Sequence, residues 1–593
     1  MLRLPSTKST FSLLSGLWCH LTFQRRMQVG LLLLVMLASG AAELLSLGAV
    51  LPFMAFLSDP QQLWHQPFVH QLADRLGFTN ANQLLLPTTL VFGAAVLLAA
   101  LIRLMNLWLN SQLAAALGSD LSCEAYRRTL CQPYGIHLKR NSATVITSTT
   151  TQISRTVSAI TCLMQFITGA VVSAALLAGL LLIDWNVAIA AFVIFGGLYL
   201  WLAKTTATEL VLNSRKIAST AEKQIMAIKE SLGAIRDILL ESSHQTYLYS
   251  YRVSDRMQRQ LQARNEFLAS YPRYAVEALG LISIALLGGL SVWKRGENGS
   301  VLPLLGALAL GAQRLLPSLQ QAYNSWSNLK AFDADMEGVL AMLNQSMPPL
   351  VTGNDPINFL DKICMKSVCF RYETDQPYIL NNLHIEIRKG EHVGLIGRTG
   401  SGKSTIIDLI MGLLVPSSGC LQVDGFDLHD SRYPARLASW QATIAHVPQS
   451  IYLADSTLAQ NIAFGVPIDK IDISRLKKAA ESSNISDFIE SCPQGYNTCI
   501  GENGISLSGG QRQRIGLARA LYRNAQVLIF DEATSALDVA TEDAVMSTIE
   551  SLTGTSTIIT IAHRLTTLSR CDRIIRIESG RVISEGTPDQ ILR

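Results

Sequence analysis

Glu391-His392-Val393-Gly394-Leu395-Ile396-Gly397-Arg398-Thr399-Gly400-Ser401-Gly402-Lys403-Ser404-Thr405-Ile406-Ile407 decides how the chain is read. Its centre, Gly397 to Ser404, fits G-x-x-x-x-G-K-[ST], the loop that wraps nucleotide phosphates. The apolar run before it predicts a short buried strand. The run from Thr405 to Met411 predicts a helix. Glycines let backbone N–H groups crowd a polyphosphate, and a helix N-terminus adds partial positive charge. Lys403 would sit on the β/γ-phosphates and the Ser404 hydroxyl would ligate Mg²⁺. The competing reading is a glycine-rich turn that binds nothing.

A second stretch answers the first. Val527-Leu528-Ile529-Phe530-Asp531-Glu532 puts two carboxylates at the end of an apolar strand. Asp531 would hold Mg²⁺ through its water shell, and Glu532 would polarise the attacking water as general base. Gln449 follows Val447-Pro448 and could touch the metal or the water. His563 follows Ile561-Ala562 and could reach the γ-phosphate. Tyr372, upstream of the phosphate loop, could stack on adenine. Leu507-Ser508-Gly509-Gly510-Gln511 opens another helix, a second anion-binding end. One triphosphate does not need two such ends. The second therefore suits a neighbour's nucleotide, which predicts a symmetric dimer.

The rest of the chain is a different material. Of 593 residues, 49% are hydrophobic and only 16% charged, against about 25% charged in soluble domains. A net charge of +4, with no basic block, does not argue for nucleic acid. Six apolar runs approach the roughly 20 residues that span a bilayer. They lie near 29–57, 86–109, 160–183, 187–203, 276–293 and 301–319. Arg25, Arg26, Arg127, Arg128, Lys139, Arg140, Lys216 and Lys223 crowd one set of connections. That asymmetry predicts cytoplasmic N- and C-termini. The ten cysteines lack metal-ligand spacing and predict free thiols.

Two polar connections, about 116–156 and 205–270, predict helices running on past the bilayer. The stripe Ile225, Ile228, Leu232, Ile235 and Leu239 reads as packing or as a docking helix for the ATPase half. Its counterpart is expected near Asn141–Thr151. Phe68, Leu72 and Leu76 in the outer loop predict an amphipathic helix, lying on the membrane or on the protein itself. Charges within or beside the spans, Glu43, Arg103, Arg273, Glu277 and Arg314, are either interhelical ion pairs or a lining for an anionic cargo. The expected domains are a membrane part at 1–343, a Pro- and Gly-rich linker at 344–356 and an α/β part at 357–593.

In this order the motifs resemble the ATP-binding cassette (ABC) exporters, over nearly the whole chain. Ser535-Ala536-Leu537-Asp538 completes the set. The resemblance implies six transmembrane helices fused to a cytosolic P-loop ATPase domain. It implies ATP held by Tyr372, by Gly397, Arg398, Thr399, Gly400, Ser401, Gly402, Lys403, Ser404 and Thr405, and by a partner's Ser508, Gly509, Gly510 and Gln511. It further implies Mg²⁺ at Ser404, Gln449 and Asp531, hydrolysis by Glu532, His563 and Gln449, coupling through Asp538, and a homodimer in a bacterial inner membrane. Gly501-Glu502-Asn503-Gly504 matches the loop that senses the membrane part. A narrower similarity, to the lipid-linked oligosaccharide flippases, rests on Tyr271-Pro272-Arg273-Tyr274, Glu277, Arg103, Gln313-Arg314-Leu315-Leu316-Pro317-Ser318 and the outer segment. It implies that Arg103, Arg273 and Arg314 meet a lipid pyrophosphate. Other cargoes weighed are lipid A, phospholipid, drugs and peptides. A leader-cleaving peptide exporter is disfavoured because no peptidase domain precedes the spans, and an importer because the two halves are fused. An ATP-gated channel or regulator would tolerate a degenerate catalytic site, and Glu532 and His563 are both present.

Overall fold

The chain is known from a computed structural model. It describes residues 9–58, 85–183, 192–295, 302–347, 358–501, 507–532, 539–551 and 556–592 except 563, with 185, 189, 504, 505 and 554. The fold divides into two compact units. One holds residues 1–131 and 140–346; the other holds 132–139 and 347–593.

The first unit is helical. In chain order its helices are α1 (Thr10–Cys19), α2 (Phe23–Ser58) and α3 (Leu85–Leu130). After α4 (Tyr134–Lys139), which belongs to the other unit, come α5 (Ser142–Thr147) and α6 (Ile153–Ile183). Then follow α7 (Gly197–Gly233), α8 (Ile235–Leu240), α9 (His244–Arg295), α10 (Leu302–Ala331) and α11 (Asp333–Leu343). The first three apolar runs lie in α2, α3 and α6, the fourth partly in α7, and the last two in α9 and α10. Among the described residues three helical segments are long and apolar enough to cross a membrane, with mean hydropathies of 2.0, 2.3 and 2.0. The 46 residues of α3 measure about 69 Å, against a hydrocarbon core of about 30 Å. It must therefore project well beyond the lipid.

Small residues let these helices approach. A Cβ on Gly118 of α3 would stand 2.6 Å from Val157 of α6. One on Gly169 of α6 would stand 3.0 Å from the backbone nitrogen of Ala322 in α10. Close backbone approach replaces the hydrophobic drive that lipid cannot supply. Beside it, Leu13 and Leu17 of α1, Leu117 and Leu121 of α3, and Met336, Val339 and Leu343 of α11 form one core.

That core shelters an ion pair, Arg155 with Asp335, at 3.6 Å. The Asp335 side chain is 1% exposed. Burial pushes its carboxyl up to about 6, against the pull of Arg155. Removing one partner of a buried pair strands the other charge, at about 3–5 kcal/mol. Arg155→Met should therefore lower the melting temperature in detergent. The loss should be largest above pH 6, where Asp335 is ionised, and shrink as the pH falls and the stranded carboxylate takes up a proton. A loss that does not change between pH 5 and pH 8 would contradict this.

The second unit contains two sheets. An antiparallel sheet runs β2-β1-β4-β5, with β1 Lys362–Phe370, β2 Leu380–Arg388, β4 Ser418–Val423 and β5 Phe426–Asp427. A six-stranded sheet runs β10-β9-β3-β8-β7-β6. Its strands are β3 His392–Ile396, β6 Ile444–Val447, β7 Val527–Asp531, β8 Thr557–Ile561, β9 Arg573–Glu578 and β10 Arg581–Gly586. All neighbours in it are parallel except β9 and β10. β8 is buried at every position, and β3 and β7 at all but the last, as strands covered on both faces are. All ten cysteines are free thiols.

The first docking segment is not where the sequence suggested. The span Asn141–Thr151 stays in the first unit, where α5 meets α7: Thr144 and Asn141 reach Glu222 and Met226. Residues 132–139 instead belong to the second unit. There Tyr134 packs against the main core, Leu414 lies 3.9 Å from a Cβ on Gly135, and Lys139 pairs with Glu373 at 3.1 Å. The outer segment around Phe68, Leu72 and Leu76, and most of the linker, lie outside the described residues.

Candidate active site

The register of the parallel sheet brings the two main motifs to one edge. Leu395 of β3 pairs with Ile561 of β8, and Ile561 pairs with Asp531 of β7. The phosphate loop and Asp531-Glu532 thus leave the same end of the sheet from strands with β8 between them, two strand spacings or about 10 Å apart. This is the carboxyl end of the strands, where open α/β sheets bind ligands.

The loop connects β3 to a helix at Lys403–Ile410, α12, capped by Gly402. Gly402 has φ +102°, and a Cβ there would stand 2.7 Å from Leu380. Only glycine tolerates both that backbone and that neighbour. The Lys403 ammonium folds back over the loop, donating to the carbonyls of Gly397 at 2.8 Å and Arg398 at 3.1 Å. Burial lowers its pKa, while Glu532 and Asp531 act the other way. The ammonium therefore sits in the field of both carboxylates, in a site partly stripped of water.

Gln449 follows β6, the next strand in the sheet. Its side-chain amide donates to Glu532 at 2.8 Å. The Glu532 backbone is left-handed, φ +50°, a sparsely populated region that costs about 1–3 kcal/mol and collects at functional sites. Its N–H donates to the Ile561 carbonyl at 3.0 Å, which fixes the turn. Ser404 is exposed on the first turn of α12. The Thr405 and Tyr372 hydroxyls lie 3.4 Å apart, and Tyr372 meets Phe370 edge to face.

Ser508 caps a separate helix, α13 (Gly509–Arg523), accepting from the Gln511 N–H at 3.2 Å. Gln511 returns the contact to the Ser508 N–H at 2.8 Å. Among the described residues no hydrogen bond joins Ser508 to the phosphate loop. His563, Asp538, Glu502 and Asn503 lie outside the described residues.

Of the proposed cargo residues, Arg103 pairs with Glu43 at 3.4 Å and keeps half its side chain exposed. That is the interhelical ion-pair alternative. Arg273 is exposed on α9. Arg314 lies on α10, with its side chain outside the description.

Two residues escaped the sequence reading. Asp408 of α12 is half-buried near Asp531, and loss of water followed by that like charge pushes its carboxyl up to about 6. Tyr134 lies within the electrostatic reach of both Asp408 and Tyr372. The break Gln132-Pro133-Tyr134-Gly135, in the middle of a helical connection, was the one available signal.

Residues 380–535 match the ABC transporter family profile. The chain is similar, at 28% identity over 82% of both chains, to the ATP-dependent lipid A-core flippase of Thiobacillus denitrificans. A solved bacterial Atm1-family ABC exporter with ATP bound shares the fold over 96% of each chain, with a TM-score of 0.77 and 24% identity. The chain carries an ABC transporter ATPase domain and has the fold of an ABC exporter half-transporter. Its ATPase part is 42% identical over 233 residues to the leukotoxin translocation ATP-binding proteins LktB of Mannheimia glucosida and of a Pasteurella haemolytica-like species. That match spans only about a third of those proteins' length, 32%. This exporter is an integral membrane protein that binds ATP and couples its hydrolysis to transport.

Proposed function

We propose that the exporter is a flippase that moves an anionic amphiphile, such as a lipid-linked oligosaccharide or a lipid A-like molecule, from the cytoplasmic to the outer side of a bacterial inner membrane. The observation that carries the energetic half is the Gln449–Glu532 contact at the phosphate-loop edge of the sheet. The cargo half is supported by similarity to a lipid A-core flippase along most of both chains.

The residues fit a magnesium ion. Ser404 and Asp531 offer hard oxygens at one strand edge, and Mg²⁺ characteristically takes one or two protein oxygens, phosphate and water. The ion, bound there, would neutralise charge between the β- and γ-phosphates. Gly397 through Thr405 wrap the phosphates with backbone N–H groups. Lys403 leaves its loop carbonyls for phosphate oxygens. Glu532, oriented by Gln449, takes a proton from the attacking water, with His563 at the γ-phosphate. Tyr372 stacks adenine. Ser508, Gly509, Gly510 and Gln511 complete the site of a second copy, and Asp538 links the two sites.

A homodimer is supported by a second observation. Ile228, Leu232, Ile235 and Leu239 are all exposed in a single chain. An apolar stripe of that kind marks an interface. Ser508→Arg, placed at the partner's phosphate, should abolish ATPase while a single site still binds nucleotide. Full turnover in that variant would remove the shared site.

The cargo reading is tested in proteoliposomes. Lipid A and a polyprenyl-pyrophosphate glycan are supplied in turn, and ATPase stimulation is measured for wild type, Arg103→Ala, Arg273→Ala and Arg314→Ala. Stimulation that no substitution alters would remove the arginines from cargo recognition. No stimulation by either lipid would remove the cargo class.

A further inference from the structure

We propose that the exporter carries a binding site for an anionic bilayer phospholipid under its first helix, apart from the ATP site and from the arginines assigned to cargo. α1 packs on α11, where Leu340 stands 2.7 Å from a Cβ on Gly16, and does not close on α2, α3 and α6. It leaves a groove of about 490 Å³, within the roughly 300–1,000 Å³ of small-molecule sites. The lining is almost wholly apolar, with Trp18, Leu33, Met36, Leu121, Ile160 and Met164 on four different helices. Phe11 at the mouth of the groove is exposed, and so are Phe23 and Met27 in the first turns of α2. An apolar slot with exposed apolar side chains at its mouth and beside it belongs in lipid, not in water.

The occupant is argued from charge. Arg26 stands at the rim. Its guanidinium lies 5.9 Å over the Trp18 ring and donates to the Cys19 carbonyl at 3.0 Å. Trp18 and Cys19 both line the groove. The Arg26 Nε is buried and has no partner among the described residues. A buried guanidinium N–H without an acceptor is costly. The neighbouring Arg25 is already matched by Asp120 at 2.7 Å, which leaves Arg26 as the cation to be answered. A phosphodiester supplies that acceptor in the fork geometry arginine favours. Its acyl chain fills the slot below. Zwitterionic lipid carries a phosphate too, but its ammonium cancels the net charge that Arg26 would answer.

The experiment uses the full-length protein in nanodiscs without ATP or cargo, so its failure is separable from failure of the flippase reading. Phosphatidylglycerol or phosphatidylcholine with brominated acyl chains is added. The Trp18 signal is isolated as wild type minus Trp18→Phe. Brominated phosphatidylglycerol should quench it with about fivefold preference, as one basic side chain gives at an anionic surface. Arg26→Gln should erase the preference and Arg26→Lys should keep most of it. Ser15→Phe, which fills the groove, should remove quenching of the Trp18 signal by phosphatidylglycerol beyond that by phosphatidylcholine. Basal ATPase should stay near wild type in all three. Equal quenching by both lipids, or preference retained in Arg26→Gln, would overturn the proposal. No quenching by either lipid would also overturn it, since a second copy of the chain would then cover the groove.

Discussion

Glu532→Gln should bind ATP as wild type does and turn it over about 10²–10⁴-fold more slowly, the contribution of a positioned general base. The amide keeps the size of the side chain and one acceptor oxygen, so the 2.8 Å contact from Gln449 can persist. What it loses is the ability to take a proton. The left-handed backbone at this position aims the side chain away from the strand and is unaffected by the change. Binding should be followed with a fluorescent nucleotide and turnover by phosphate release. Turnover within threefold of wild type would hand the base role to another group, and Asp408 would be the first to test.

Lys403→Ala should act one step earlier, on nucleotide binding itself. The ammonium is buried and lies in the field of Asp531 and Glu532. When a polyphosphate enters, this is the cation nearest to it on the loop. Without Lys403 the phosphates meet two carboxylates uncompensated. Breaking such a pair costs about 3–5 kcal/mol, more than a hundredfold in Kd. Lys403→Arg should not rescue it, because a planar guanidinium cannot fold over the Gly397 and Arg398 carbonyls as a point charge does. Calorimetry on the purified protein checks this, and a Kd within threefold of wild type would refute it.

What could be read from residues alone followed the range of the interactions involved. The phosphate loop was legible because its chemistry is local: glycines, a lysine and a helix start within eight positions. Asp531 and Glu532 were legible as acids ending an apolar run. That they stand beside the loop needed the strand order, with β8 between β3 and β7, which no single motif encodes. Arg103 shows the same limit. Its sequence allowed a cargo ligand or an ion pair, and only the packing of α2 on α3 brings Glu43 to it. The first docking segment was misplaced for a related reason. The longer polar stretch Asn141–Thr151 drew the reading away from the shorter Tyr134–Lys139. What selects the latter is a core in another part of the chain.

The eight residues from Gln132 to Lys139 have a consequence for how such a protein can change. They are encoded inside the helical half yet fold as part of the ATPase. A hybrid made by splicing a foreign ATPase after the linker would inherit a mismatched insert: Tyr134 would face a strange core and Lys139 would lose Glu373. Transplanting the octapeptide together with its ATPase would restore the fit. The heritable module is therefore discontinuous in the gene, and recombination at the obvious boundary cuts it in two.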